Sequence, residues 1–130
     1  MKKLFIMLMI GTISMMFACS KKHSDLPTGF KYEEALPAPY NVEVVGGREI
    51  ATVKWSYDSD KLDRVKEFRV YQYIATYDML QLVGTTSDTS YVDSFLVGNL
   101  LYCYKVSAVD SSDFEGWRSD EECGFVLSSK

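Results

Sequence analysis

The sequence predicts an all-β domain, a seven-stranded antiparallel sandwich placed after an N-terminal export signal and a tether. Three observations predict it. Short runs from Tyr40 onward alternate apolar and polar residues with period two. Turn-forming residues separate those runs, and no stretch among them has a convincing helical period. The 130 residues, 47% hydrophobic, suffice to bury one ordinary core.

Taken in chain order, the first element is not part of that core. Lys2 and Lys3 form a positive n-region, and Leu4 to Phe17 is apolar except for Gly11, Thr12 and Ser14. Such a segment spans roughly 21 Å as a helix, short of the ~30 Å hydrocarbon layer, so a secretory signal fits better than a transmembrane anchor. The stretch "MFAC" resembles a bacterial lipobox, in which a small residue precedes a cysteine that receives diacylglycerol. The resemblance implies residues 1–18 as lipoprotein signal peptide and Cys19 as the lipidated residue. Met16 and Phe17 depart from the preferred pattern, and the competing reading is a plain signal with an incidental cysteine. Lipoproteins of enteric bacteria kept in the inner membrane carry an aspartate after that cysteine. Ser20 stands there instead, so the outer membrane of a bacterial cell envelope is the expected location.

Residues 19–36 read as a flexible tether: polar, mixed in charge and punctuated by Pro27 and Gly29. The strands follow within 37–127, leaving 128–130 as a tail. "YNVEVVGG" alternates and stops at Gly46-Gly47. "EIATVKWSY" puts Ala51, Val53, Trp55 and Tyr57 on one face, and "VKEFRVYQYIA" sets Phe68 and Val70 opposite Arg69, Tyr71 and Tyr73. "MLQLVGTT" and "TSYVDS" are short strands. "LLYCYKVSAVD" turns Tyr102, Tyr104, Val106 and Ala108 inward and Cys103, Lys105 and Ser107 outward. A last strand, about 120–127, follows the loop "SSDFEGWRS".

In their order and spacing these segments resemble a fibronectin type III domain, an immunoglobulin-like sandwich. The marks are "LPAPYNVEV", the tryptophan in "ATVKW", "FRVY" and the block "TSYVDSFLVGNLLYCYKVSAVDSSDFEGWRSD". The resemblance implies that Trp55 is the core tryptophan. It also implies that Tyr102 is the tyrosine corner, bonded to backbone near Leu96. Gly98-Asn99 replaces the usual Pro-Gly turn. The implied uses are adhesion, spacing or protein binding, with no activity, since this fold hosts many functions.

Cys103 faces outward, and Cys123 lies across the last hairpin. A register that pairs them also pairs Ser107 with Ser119. Directly opposed cysteines stand within disulfide reach, and an exported chain meets an oxidising compartment, so a Cys103–Cys123 bridge is expected; two separate thiols are the alternative.

Chemistry is hard to build here. His23, in the tether, is the single histidine, so no Ser–His or Cys–His pair forms in the domain and no metal set is complete. The carboxylates cluster in turns, "DSSDFE" lacks an EF-hand spacing, and no glycine-rich loop cradles phosphate. Neither an enzyme nor a cofactor is expected. Without Lys2 and Lys3, twelve basic side chains face eighteen acidic ones, a net charge of about −6 that argues against nucleic acid as partner. The expected partners are the membrane, through the lipid, and an envelope protein or polysaccharide. The contact residues expected are Phe114, Trp117 and Arg118 of the last loop, with Tyr71, Tyr73 and Met79 of the neighbouring sheet face as a second surface. Both sets admit a plainer use, as rings folded over the sandwich end or packed across strands. The rival functions are a structural subunit or spacer docking by a sheet edge, and a carbohydrate-binding accessory.

Overall fold

The computed structural model describes residues 35–130; the expected signal, Cys19, His23 and most of the tether lie outside the described residues. Eight strands follow: β1 (Tyr40–Gly46), β2 (Ala51–Ser56), β3 (Val65–Ile74), β4 (Met79–Thr86), β5 (Ser90–Asp93), β6 (Leu100–Asp110), β7 (Glu115–Arg118) and β8 (Glu122–Val126). One sheet has the order β1-β2-β5. The other runs β4-β3-β6, with β7 and β8 both pairing along the far edge of β6. All these pairings are antiparallel.

The period-two reading holds where it matters. Ala51, Val53, Trp55 and Tyr57 of the first sheet and its exit are buried, and they meet Phe68, Val70, Tyr104, Val106, Ala108 and Val126 of the second. Phe68 is the hub: Trp55 and Tyr57 both stand edge-on to it, with ring centroids 5.4 and 5.2 Å away. Trp55 is thus a core residue. Its Nε1 is buried without a hydrogen-bond partner, a cost offset by the ring's packing. Tyr104 crosses the core, its hydroxyl donating to Asp93 Oδ2 of the other sheet at 2.8 Å.

Two expectations need correcting. Seven strands become eight because part of the loop "SSDFEGWRS" is strand: 115–118 pair with β6 as β7. The break between β7 and β8 also shifts the register. Cys103 does face Cys123, yet Ser107 faces Arg118, not Ser119. Ser119 fills the gap instead. Its N–H donates to the Val106 carbonyl (2.8 Å), and its hydroxyl accepts from the Val106 N–H (2.9 Å), so a side chain completes the ladder.

The second correction concerns Leu36, assigned above to the tether. It is 2% exposed, belongs to the core, and accepts a hydrogen bond from the Trp117 N–H at 3.1 Å. Nearby, the Tyr57 hydroxyl donates to the Pro37 carbonyl. The sandwich closes where β1 crosses β8. Gly46 lies so near the Phe125 carbonyl that a Cβ there would stand 1.7 Å from it, which only glycine allows.

Candidate functional site

Cys103 and Cys123 are bridged, with Cα atoms 4.0 Å apart, on the outward face between β6 and β8. Glu121 lies beside them, and the three form the one group among the described residues with metal-ligand spacing. With both sulfurs joined to each other, the thiolate ligands such a site needs are spent.

Tyr71 and Arg118 do come together. Arg118 stacks its guanidinium 4.5 Å above the Tyr71 ring, and Tyr71 is only 8% exposed. Beneath them lies Glu115. Its Oε1 accepts from the Tyr71 hydroxyl (2.7 Å), the Ser107 hydroxyl (2.6 Å) and Arg118 Nε (3.4 Å), and its Oε2 accepts from Arg69 (3.4 Å). Burial pushes the Glu115 carboxyl up. The hydrogen bonds from Ser107 and Tyr71 and the charges of Arg118 and Arg69 outweigh it, so its pKa is lowered. The Tyr71 hydroxyl is pushed up, by burial first and then by donation to Glu115. This cluster pins β7 to β3 and β6, and its groups are occupied with one another.

The other sequence-derived candidates are similarly engaged. Phe114 and Trp117 are half-buried, Trp117 on a strand rather than in an exposed loop. The acidic stretch before them is a turn: Asp110 Oδ1 accepts from the Ser112 and Phe114 N–H groups, and Asp113 pairs with Lys66 at 2.6 Å. Tyr73 lies apart from Tyr71's cluster, its hydroxyl donating to Asp78 (2.6 Å). Met79, half-exposed, begins β4.

Sequence reasoning passed over the opposite end of the sandwich. Four segments lie at that end: the β1–β2 turn 47–50, the β3–β4 connection 75–78, the β5–β6 connection 94–99 and the tail 127–130, with the first, third and fourth joined by backbone hydrogen bonds. They and the adjoining strand ends expose apolar side chains. Phe95 is 99% exposed, Tyr77 74% and Val97 67%, with Ile50, Met79, Leu100 and Leu127 more than a third exposed.

The Phe95 loop is held firmly. Leu96 donates its N–H to the Glu49 carbonyl (2.9 Å), and Asn99 donates to Val126 (2.7 Å). The Tyr102 hydroxyl bonds Val97 twice, accepting from its N–H at 2.9 Å and donating to its carbonyl at 3.0 Å. Tyr102 therefore bonds the backbone at Val97, next to Leu96, in the manner of a tyrosine corner. Phe95 itself adopts φ 60°, a left-handed backbone unfavourable for a bulky residue. A strained aromatic with no cover is what the loop presents. The signal in the sequence was "DSFLVGNLL", whose apolar residues do not alternate.

No family model and no curated protein match the chain. Solved structures do. An Fn3-like protein from Clostridium thermocellum superposes with a TM-score of 0.60 at 19% identity, over 74% of this chain and 98% of that one. A protein described as a myokine gives 0.59 at 22% identity, covering 73% of this chain and all of that one. A β-1,2-glucanase from Parabacteroides distasonis gives 0.59 at 17% identity over 82% of this chain; the matched part is 14% of the enzyme. At these identities the likeness shows the fold, a fibronectin type III sandwich.

Proposed function

We propose that this fibronectin type III domain is a non-catalytic contact module, held at a bacterial envelope membrane by lipid on Cys19, which docks through the apolar end around Phe95. One observation carries the reading: the polar clusters described above hold the fold, while the three most exposed large apolar side chains, Phe95, Tyr77 and Val97, lie at one end. Catalysis needs polar groups aimed at a reacting atom, and docking needs uncovered apolar area. The proposal moves the contact surface away from Phe114 and Trp117, whose rings are half-buried at the other end.

A second reading has its own observation. β4 is an edge strand of eight residues without a single charge, the kind of edge that accepts another strand. On that reading the protein is a structural subunit of an envelope assembly.

The test uses the chain from Ser20 onward, which carries the whole sandwich but neither the signal nor Cys19. Its sedimentation with bacterial envelope preparations is compared for wild type, Phe95→Asp and the pair Phe114→Ala/Trp117→Ala. Loss with Phe95→Asp alone is expected. Loss with the pair alone would return the surface to the loop, and loss with neither would favour the β4 edge. Anchoring is tested separately, by metabolic labelling of the full chain with radioactive palmitate and loss of label in Cys19→Ala.

A further inference from the structure

The occupant of the apolar end can be argued further, on the reading just given that a lipid tether keeps the domain at a membrane. We propose that this end inserts into the bilayer itself, so that the domain lies against the membrane by two points, the lipid on Cys19 and the ring of Phe95.

Shape is the first argument. Phe95 is 99% exposed, so its ring stands clear of its neighbours. A rigid protein surface would need a matching pocket, whereas a fluid acyl layer closes around a protruding ring. Val97, two residues on, is also strongly exposed, and Tyr77 at the same end is a ring whose hydroxyl suits the headgroup boundary.

Backbone strain is the second. The left-handed φ of Phe95 is retained because Glu49, Tyr102 and Val126 bond the residues just after it. Strain kept by surrounding bonds, with no packing gained by the ring, marks a position shaped for something outside the chain.

Charge is the third. The segments at this end, 47–50, 75–78, 94–99 and 127–130, carry Arg48 and Lys130 against Glu49 and Asp78, so they balance. At the other end, the connections 57–64, 87–89 and 111–114 carry five aspartates against Lys61 and Arg64. Carboxylates are repelled by anionic headgroups and excluded from hydrocarbon. A bilayer therefore favours the Phe95 end.

Reach permits the arrangement. Leu36 enters the fold at the acidic end, and the sandwich is about 36 Å long, judged from the eleven residues of β6. The residues between Cys19 and Leu36 can extend to ~60 Å, enough to run back along the domain to the same membrane.

The experiment purifies the protein from membranes of expressing cells, with loss of residues 1–18 and lipid on Cys19 checked by mass, and reconstitutes it into phosphatidylcholine vesicles whose acyl chains are brominated, since bromine quenches tryptophan only near contact. Wild type carries Trp55 in the core and Trp117 at the acidic end, neither of which should be quenched. Phe95→Trp adds a reporter at a position where no packing is disturbed. Its emission is expected to shift to the blue and to fall roughly twofold relative to vesicles of plain lipid, as for a ring at the acyl boundary. Flotation with the vesicles is read in the same samples. If the chain floats but the added tryptophan is unquenched, insertion is wrong while anchoring stands. If the chain does not float and the tryptophan is unquenched, both readings fall. A blue shift without quenching that grows with protein concentration would assign this end to a second copy. Protection that appears only with envelope proteins would assign it to a protein partner. Either result overturns insertion.

Discussion

Ser119 illustrates how much a single side chain carries here, because its hydroxyl stands in for a main-chain acceptor opposite the buried Val106 N–H. Ser119→Ala leaves that donor unsatisfied and should cost about 1–3 kcal/mol, read as a lowered urea midpoint with unchanged slope. Glu115 makes a comparable point about pH. Its folded pKa is lowered, so its contribution is complete above the unfolded value of ~4.3 and is lost as pH falls through the folded one. Wild type should therefore weaken below that value. Glu115→Gln should be less stable at neutral pH yet show a shallower acid limb in midpoint against pH. Identical limbs would mean that the carboxylate is not what ties β7 down.

Among the elements, the β6–β8 pair is held twice, by its ladder and by the disulfide that closes a separation of twenty residues. Cys103→Ser/Cys123→Ser should lower stability by about 3 kcal/mol in the loop-entropy view while the ladder keeps β8 in place. Denaturant melts of the variant, with amide exchange at Gly124 and Phe125, check both halves of that statement. The inward faces of β2, β3 and β6 were legible in the sequence because alternation records a face that must be buried. The Cys103–Cys123 register was legible for a related reason, since two cysteines in adjoining strands fix one pairing. The split between β7 and β8 was not. It depends on the Ser119 hydroxyl replacing a backbone group, which leaves no period in the chain. Leu36 sat among prolines and looked like tether, because its burial is decided by the distant Gly116 and Trp117. Loop exposure is likewise set by tertiary neighbours, so Phe114 and Trp117 drew attention and Phe95 did not.

Across the whole molecule, two buried hydroxyls make stability fall at high pH. Tyr57 is pushed up to about 12, mainly by burial, and burial together with the Asp93 carboxylate drives Tyr104 well above the usual tyrosine range. Both are raised in the fold, so their contribution is whole below the unfolded value of ~10 and is lost as pH climbs beyond it. Unfolding by circular dichroism should accompany late tyrosinate absorbance above ~10, and Tyr104→Phe should delay it. Reversible ionisation of every tyrosine near 10 with the fold intact would contradict this. The placement of Leu36 has a mechanical consequence as well. The chain enters at one end of the sandwich, and β1 runs from there toward the Phe95 end, hydrogen-bonded along β2. Tension arriving from the N-terminal side and resisted at the far end is directed along the strand. The bonds between β1 and β2 lie across that direction, so they are sheared as a group and not peeled one after another. A domain strung this way resists a steady pull far better than one hung from the loose end of a hairpin.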